Sequence, residues 1–417
     1  MFNQIPSPIS PVSLGLETNL GGRCVFACDI NKSAVDTYTT HFGAKHGVPL
    51  GDINVIDPME IADFMILTAG FPCQSYCRQN LSAPGLRSEN GQVFHNIIRL
   101  LQLKQPLGII LENVPNLLSV NGGEDFREIV TAVERCGYDC DWKVIDARRY
   151  VPQQRRRLYI VGVRRDLRRE VVTEVVSEAV TEALTATLTE TVTEADVGSQ
   201  TTTTEAHSIS ESEMVLKIPL SNSGFSSITR FSSLTPLTVP HHHNNIIPWS
   251  SFLSSSIIDV PTVADVLEPS SEHTNAYRIS LKLWTEILQN GDSEDRIRCR
   301  RLVNLNGYAK TLVSTYKSGK RCFSQFVPNE SNIVAAGECG CGETEVPPRL
   351  FTPRECCRLM GFPESFHVPC LVTDVVATNE FYHHIGNAVI PQVVELIAAL
   401  LLTTIEAATS SLQINVS

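Results

Sequence analysis

Residues 93–111, VFHNIIRLLQLKQPLGIIL, join an amphipathic helical pattern directly to a short apolar run. Apolar residues at helical spacing predict a helix over 93–103, and the uninterrupted run at 108–111 predicts a strand buried on both faces. The same alternation extends outward over 23–163. Further strands are predicted at 24–27, 64–69 and 159–163, and further helices at 33–41 and 125–135. Such alternation is typical of an α/β fold with a doubly wound, mostly parallel sheet.

The overall composition is that of a soluble protein large enough for a second, smaller domain. The chain has 417 residues, of which 42% are hydrophobic and 19% charged. We expect no membrane partner, because no apolar run approaches about 20 residues, and no secretory signal. The thirteen cysteines are then expected to be reduced thiols. The isolated Cys339-Gly-Cys341 spacing has no second ligand pair, so we predict no metal.

The segment 166–258 differs in composition from the chain on either side. Residues 166–215 hold eleven acidic residues and only two arginines, in a chain whose net charge is −11. A repeat of about four residues would stack like charges along a helix. We therefore predict a flexible insertion, with an amphipathic partner-binding helix as the alternative. Order is expected to return at Val260, with short strands over 301–326 and helices over 353–360 and 391–404.

Outside this insertion the basic residues form local clusters. Clusters of arginine and lysine are suited to the phosphates of a nucleic acid, whatever the net charge of the whole chain. The clusters lie at 148–149, 155–157, 164–165, 296–301 and 310–321.

Two reactive side chains follow predicted strands. Cys73, in Gly70-Phe71-Pro72-Cys73-Gln74-Ser75, follows the strand 64–69, and Glu112, in Glu112-Asn113-Val114, follows the strand 108–111. The carboxyl ends of parallel strands open into one crevice, so nucleophile and carboxylate are expected to share it. A single cysteine is more often a small buried hydrophobe, and only its companions favour a nucleophile.

A third segment, Pro152-Gln153-Gln154-Arg155-Arg156-Arg157, leads into the predicted strand at 159–163. Taken alone, such a run is more often a solvated basic face. Together and in this order, the three segments resemble the signatures of DNA (cytosine-5) methyltransferases. Two later segments continue the order: Arg349-Leu350-Phe351-Thr352-Pro353-Arg354-Glu355 with Leu359-Met360-Gly361-Phe362-Pro363, and Gly386-Asn387-Ala388-Val389-Ile390-Pro391. Five segments in the family's order are too many for coincidence.

The resemblance implies the activity and the role of each segment. It implies an S-adenosylmethionine-dependent enzyme, acting as a monomer, that methylates C5 of cytosine in double-stranded DNA. Cys73 would attack C6 of the flipped base, Glu112 would stabilise the ring at N3, and Arg155 and Arg157 would hold the base and its phosphate. The implied cofactor-binding residues are Asp29, Ile30, Asp52, Ile53 and Asn387. The implied substrate-binding residues are Pro72, Gln74, Asn113, Gln153 and Thr311.

The family order also predicts the domain boundaries. The catalytic and cofactor domain covers 1–165 and resumes at 346–417, and its fold class is the Rossmann-like methyltransferase fold. The insertion 166–258 and a smaller target-recognition region, 259–345, lie between the two parts. Thr311 falls in a piece of that region, 310–316, that resembles a recurrent family segment.

The beginning of the chain departs from the family pattern. Where the family usually has a strand and a Phe-x-Gly-x-Gly loop, this chain has Pro6-Ser7-Pro8-Ile9-Ser10-Pro11. The resemblance to the family resumes at Leu14-Gly15-Leu16-Glu17. Prolines cannot replace glycines that let the backbone approach a cofactor. We therefore expect the first central strand to be missing, either because the true start lies upstream or because the cofactor pocket is damaged. The first explanation is favoured.

Two other functions remain open on the sequence. The tRNA-methylating branch shares the signatures, but its Cys-Phe-Thr segment is absent, since Cys322-Phe323 is followed by Ser324. A catalytically inactive nucleic-acid-binding homologue would explain the Pro-rich start. The repetitive insertion favours a eukaryotic host and hence the nucleus; otherwise we expect the cytoplasm.

Overall fold

The structure is a computed structural model. It describes residues 2–5, 16, 20–43, 51–71, 92–167, 246–250, 260–289, 300–318, 324–329, 346–369 and 373–414. The predictions for Pro72, Cys73 and Gln74, for the repeat-containing part of the insertion and for Cys339-Gly-Cys341 lie outside these residues.

A six-stranded sheet forms the centre of the protein. Its strands are β1 Phe2–Ile5, β2 Cys24–Ala27, β3 Ile66–Gly70, β4 Gly108–Asn113, β5 Tyr138–Asp146 and β6 Arg156–Arg164. Their spatial order is β2-β1-β3-β4-β6-β5. Strands β1 to β4 pair in parallel, and β6 runs antiparallel to both of its neighbours. The predicted mostly parallel α/β sheet is confirmed.

Strand β1 corrects the expectation that the first central strand is missing. The backbone of Phe2–Ile5 pairs in parallel with β2 on one side and with β3 on the other, so β1 occupies an interior position of the sheet. A proline after a strand does not prevent the residues before it from pairing, since it lacks only its own N–H. The departure from the family pattern thus concerns the sequence after β1, where Pro6 to Pro11 stand in place of the family's glycines.

The helices frame the sheet largely where the sequence predicts them. They are α1 Lys32–Phe42, α2 Gln92–Lys104, α3 Glu124–Arg135, α4 Val263–Val266, α5 Glu272–Asn275, α6 Leu281–Leu288, α7 Pro353–Leu359, α8 Val375–Asn387 and α9 Pro391–Ile414. Single-turn 3₁₀ helices occur at Pro58–Glu60, Pro115–Leu118, Val120–Gly123, Ala147–Arg149, Arg165–Leu167 and Tyr316–Ser318. The sequence analysis did not predict β5, α8 or the short helices α4, α5 and α6. Polar residues interrupt the apolar spacing of β5 and α8.

Alternate side chains of β4 enter two separate cores, one on each face of the sheet. Ile109 and Leu111 join the apolar cluster that contains the buried residues of α2 and α3. Ile110 joins the other cluster, together with the buried residues of α9. Gly108 allows α9 to approach closely, because a Cβ at this position would lie 2.9 Å from Cδ2 of Leu401. Both faces of the sheet are therefore covered, as in a doubly wound fold.

Two expectations about the middle of the chain are wrong. The described part of 301–326 forms isolated bridges, such as Leu302 with Phe326, rather than strands. Ile246 and Ile247 lie within the segment that was expected to loop out, yet both are buried in the same core as α9. Nearby, Nζ of Lys143 on β5 lies 5.6 Å from the ring centre of Trp249. The end of the insertion is therefore anchored on the catalytic sheet.

The C-terminal helices are more apolar than the expectation of no long apolar run implied. The stretch Val375–Ser410, which covers α8 and most of α9, is long and apolar enough to cross a membrane by length and composition. However, 72% of its most apolar window is buried inside the protein. This burial is typical of a core helix, and Ile397 and Leu401 are fully inaccessible to solvent.

Candidate active site at the carboxyl ends of β3 and β4

Strands β3 and β4 end side by side, and each leads into one of the predicted catalytic segments. Gly70, the last residue of β3, lies in register with Glu112 on β4. Cys73 follows Gly70 by three residues in the sequence. The structure thus brings the base of the cysteine loop beside Glu112, while the position of Cys73 itself stays a prediction.

Asn113 ties the cysteine loop to β4. Its side-chain Nδ2 donates to the carbonyl oxygen of Phe71 at 3.2 Å, and its Oδ1 accepts from the backbone N–H of Val114 at 2.9 Å. The side chain is buried, only 2% exposed. Asn113 was predicted to bind substrate, which stays a prediction; in the structure its side chain fixes the backbone at Phe71.

Glu112 and Arg157 form an ion pair at the crevice. Nε of Arg157 donates to Oε1 of Glu112 at 2.9 Å, and each side chain is less than one-fifth exposed. The contact arises because β4 and β6 are antiparallel neighbours, with Asn113 opposite Leu158. Burial raises the pKa of the Glu112 carboxyl above its usual value, although the charges of Arg157 and Arg155 act in the opposite direction. Glu112 therefore holds a proton more readily than a solvated glutamate.

Arg155 differs from Arg157, because its guanidinium binds backbone carbonyl oxygens instead of the Glu112 carboxyl. Its side chain is 1% exposed, and Nη1 donates to the carbonyl oxygen of Leu312 at 2.8 Å. Nη2 donates to the carbonyl oxygens of Gly386, at 3.0 Å, and of Ala388. The guanidinium of Arg155 thus joins the predicted recognition region to the C-terminal signature, and its predicted contact with the base stays a prediction.

Gln153 likewise fixes the recognition region rather than facing solvent. It is fully buried; its Oε1 accepts from the N–H of Leu312 at 2.9 Å, and its Nε2 donates to the carbonyl oxygen of Leu359 at 2.9 Å. Beside it, Oγ1 of Thr311 donates to the carbonyl oxygen of Gln154 at 2.5 Å. Thr311 remains partly exposed and stays a candidate for contact with the substrate.

The predicted cofactor acids lie close together at the end of β2. Oδ1 of Asp29 accepts from the N–H of Asn31 at 2.8 Å, and the N–H of Gly51 donates to the carbonyl oxygen of Asp29 at 3.2 Å, which brings Asp52 alongside. Burial, followed by the charges of Asp29 and Asp52, raises the pKa of the Cys28 thiol to about 12. Burial also raises the pKa of Asp29 itself.

The two predicted isoleucines differ in exposure. Ile30 is 73% exposed beside Asp29, as expected for an apolar residue that covers a ligand. Ile53 is only 3% exposed and its side chain belongs to the core, so its predicted part in cofactor binding stays a prediction. Its carbonyl oxygen accepts from Nη2 of Arg99 at 3.0 Å instead.

The last signature packs against the helix that follows Asp29. Nε2 of His384 on α8 lies 3.0 Å from Oγ of Ser33 on α1, and the histidine is buried. Burial, together with the charge of His383, lowers the pKa of His384 to about 4. Asn387, three residues further on, is exposed, with Nδ2 at 3.3 Å from Nε2 of His383. Neither Ser33 nor His384 was predicted from the sequence, since the two residues lie far apart along the chain.

The comparisons with known proteins agree with this geometry. The sequence model of the C-5 cytosine-specific DNA methylase family matches residues 7–402. The chain belongs to this family.

Two curated relatives cover most of this methylase at moderate identity. The Type II methyltransferase M.DsaV of Dactylococcopsis salina is 28% identical over 93% of this chain and 82% of its own length. The Type II methyltransferase M1.ScrFI of Lactococcus lactis subsp. cremoris is 26% identical over 95% and 77%, respectively.

The fold of this methylase is shared with solved structures. The crystal structure of S. pombe Dnmt2 methyltransferase matches with a TM-score of 0.59 and 16% identity, over 96% of this chain and 98% of that one. This likeness confirms the methyltransferase fold. Family membership confirms the predicted cytosine-5 methylation of DNA, and the tRNA-methylating and inactive alternatives are not favoured.

The donor set of this methylase fits the adenosyl part of S-adenosylmethionine. Oδ2 of Asp29 and Oδ2 of Asp52 accept no hydrogen bond from any described residue, so each can accept from a ligand. A carboxylate at the end of β2 suits ribose hydroxyls, and exposed Ile30 suits a flat adenine. No group of three or more His, Cys, Asp and Glu side chains suited to a metal occurs among the residues that the structure describes.

Proposed function

We propose that this methylase uses S-adenosylmethionine to methylate a cytosine rotated out of duplex DNA, through a covalent bond between Cys73 and C6 of the base. The observation that carries the proposal is the Glu112–Arg157 pair, since it lies in register with Gly70 at the base of the Cys73 loop. Family membership supports methyl transfer to DNA in general. The cofactor, the duplex substrate and the roles of individual residues are part of the proposal.

The reaction begins with activation of the ring. Cytosine C5 is a weak nucleophile until the thiolate of Cys73 adds to C6, which makes C5 the nucleophilic end of an enamine. Negative charge develops toward N3 as the C6–S bond forms. Glu112, whose pKa is raised by burial, is suited to donate a hydrogen bond or a proton to N3.

Arg157 keeps Glu112 in place for this task. Its Nε occupies Oε1 of the carboxyl, so Oε2 is the atom left to face the base. The cofactor supplies an electrophilic methyl group when bound, with Asp29, Ile30 and Asp52 as its candidate ligands. Once C5 is methylated, loss of the C5 proton returns an electron pair to the ring and expels the thiolate of Cys73 from C6.

Rotation of the base is part of the proposal because C5 and C6 lie inside the stack of a duplex. Unstacking costs a few kcal/mol, which contacts to the backbone must offset. Thr311 is suited to those contacts, because it is partly exposed and its segment is held by a hydrogen bond to the carbonyl oxygen of Gln154. The neighbouring clusters of arginine and lysine are suited to them as well.

The test compares Cys73→Ser with Cys136→Ser, a matched change at the end of α3. The Cys136 carbonyl accepts from Nε2 of Gln105, which precedes β4, so Cys136 lies at the opposite end of that strand from Glu112. Methyl transfer to a cytosine-containing duplex is expected to be abolished in Cys73→Ser and kept in Cys136→Ser, with duplex affinity retained in both. A duplex containing 5-fluorocytosine traps the adduct, because fluorine at C5 cannot leave as a proton does. Wild-type protein should form the covalent complex, and Cys73→Ser should not.

A second variant tests Glu112. Glu112→Gln keeps the shape of the side chain but cannot deliver a proton, so the transfer rate is expected to fall by about 10²–10⁴-fold. Full activity of Cys73→Ser, or methylation of tRNA in preference to the duplex, would overturn the proposed function.

A further inference from the structure

Arg155 joins two parts of the molecule that serve different substrates. Its guanidinium donates to the carbonyl oxygen of Leu312, the residue after Thr311, in the recognition region. The same guanidinium donates to the carbonyl oxygens of Gly386 and Ala388, the two residues that flank Asn387. One buried side chain therefore fixes the backbone beside a candidate DNA contact and beside a candidate cofactor contact.

The chemistry of arginine makes this a rigid connection. A guanidinium is planar and carries its N–H donors in a fixed fork, so the carbonyls it binds are held at set positions relative to one another. Burial of the charge at 1% exposure is tolerated because several carbonyl dipoles face it. Lysine has a single charged nitrogen on a flexible chain and cannot reproduce this arrangement.

Gly386 brings the two backbones into direct contact. A Cβ at this position would lie 2.3 Å from the carbonyl carbon of Val313 and 2.4 Å from the backbone nitrogen of Ser314. These atoms belong to the backbone and cannot swing aside as a side chain can. The backbone at Gly386 therefore packs against the backbone of Val313 and Ser314 with no room for a side chain between them.

Both ends of this connection continue toward a candidate site. On the cofactor side, His384 contacts Ser33 at 3.0 Å, and Ser33 lies in the first turn of the helix that follows Asp29 and Ile30. On the DNA side, Gln153 binds the N–H of Leu312, and Thr311 binds the carbonyl of Gln154. Direct contacts thus lead from the neighbourhood of Asp29 to Thr311.

We propose that Arg155 couples the two binding sites, so that cofactor bound near Asp29 and Asn387 raises the affinity of the recognition segment for DNA. This inference rests on the proposed function, since it uses the cofactor and DNA sites assigned there. Arg155 acts as a positioning residue and touches neither substrate.

Coupling has a quantitative signature in equilibrium binding. If S-adenosylhomocysteine, the demethylated form of the cofactor, raises duplex affinity by some factor, the duplex must raise S-adenosylhomocysteine affinity by the same factor. Coupling between sites is typically about 5–150-fold. We expect a factor of about 10 in the wild-type protein and a factor near 1 in Arg155→Lys.

The experiment measures the dissociation constant of a cytosine-containing duplex with and without saturating S-adenosylhomocysteine, and the reciprocal pair. Arg156→Lys is the matched control, because the neighbouring arginine lies on β6 opposite Asp146 and donates to none of these three carbonyls. It is expected to keep the wild-type factor. Ser33→Ala removes the contact with His384 by a mild change and is expected to reduce the factor, which tests the connection even if Arg155→Lys does not fold.

The outcomes separate the inference from the proposed function. A wild-type protein that transfers no methyl group to any cytosine-containing duplex overturns the proposed function. A wild-type protein that methylates DNA but binds it equally well with and without S-adenosylhomocysteine overturns only the coupling. Retention of the full factor in Arg155→Lys, or in Ser33→Ala where Arg155→Lys does not fold, overturns it as well.

Discussion

The side-chain amide of Asn113 donates to the carbonyl oxygen of Phe71 at 3.2 Å, across the boundary between β4 and the segment that leads to Cys73. The contact joins the segment that contains Glu112 to the segment that leads to Cys73. Because Asn113 immediately follows Glu112, the same strand end that presents the carboxyl also fixes the start of the cysteine loop. One buried side chain therefore connects the end of β4 to the end of the described segment at Phe71.

Asn113→Ala is expected to lower both the rate of methyl transfer and the thermal midpoint of unfolding. Removal of the amide leaves the Phe71 carbonyl and the Val114 N–H without these partners, at a cost of about 1–3 kcal/mol. A displacement of about 1 Å at the loop would reduce the rate by about 100-fold. Single-turnover transfer rates and thermal midpoints would be measured for this variant and for Asn116→Ala, a nearby control in the following 3₁₀ turn. A wild-type rate in Asn113→Ala would show that the loop is positioned by other contacts.

The sequence predicted the residues that border the crevice because order along parallel strands fixes which side chains emerge together. Glu112 and Gly70 lie at the ends of adjacent strands, and the apolar runs at 64–69 and 108–111 predicted both of these strands. The pairing of Glu112 with Arg157 followed from the antiparallel register of β6 with β4, which periodicity does not reveal.

The sequence could not predict what the buried arginine contacts. Arg155 and Arg157 occur two residues apart, yet one binds backbone carbonyls of distant segments and the other binds a carboxylate. The partners are set by how the recognition region packs on the C-terminal helices, and a motif contains no record of that packing. The contact of Ser33 with His384 was missed for the same reason.

Arg349 and Glu355 form a buried ion pair that fixes helix α7. Nη1 and Nη2 of Arg349 lie 2.7 Å from the two carboxylate oxygens, and Glu355 is fully buried. The carboxylate also accepts from the backbone N–H groups of Thr352 and Glu268, so it joins the helix cap to the recognition region. Removal of the arginine would leave a buried charge without its counterion.

Arg349→Met is therefore expected to lower the free energy of unfolding by about 3–5 kcal/mol. The matched control is Lys32→Met, which breaks the exposed pair of Lys32 with Asp36 and is expected to change the free energy by about 0.5 kcal/mol or less. Urea denaturation of the three proteins measures both effects. If both substitutions lowered the free energy of unfolding by the same amount, burial of the Arg349–Glu355 pair would not be the cause of the expected loss.

Because the pKa of His384 is lowered, the free energy of unfolding is expected to fall in mild acid. Burial, the charge of His383 and the opposing charge of Glu380 together lower its pKa from 6.5 to about 4. Between these values the unfolded chain binds a proton that the folded protein does not, so the free energy of unfolding falls as the pH falls from about 6.5 to about 4. The contribution of this one group is about 2 kcal/mol between pH 7 and pH 5.

The measurement compares urea unfolding at these two pH values in the wild type, His384→Gln and His383→Gln. Glutamine at 384 keeps a polar contact for Ser33 but does not titrate, so this variant should lose about 2 kcal/mol less than the wild type on acidification. His383 is exposed on the same helix turn, and its substitution should leave most of the pH dependence intact, because burial is the main cause of the lowered pKa of His384. The opposite result, with His383→Gln flattening the profile and His384→Gln matching the wild type, would assign the acid sensitivity to the exposed histidine.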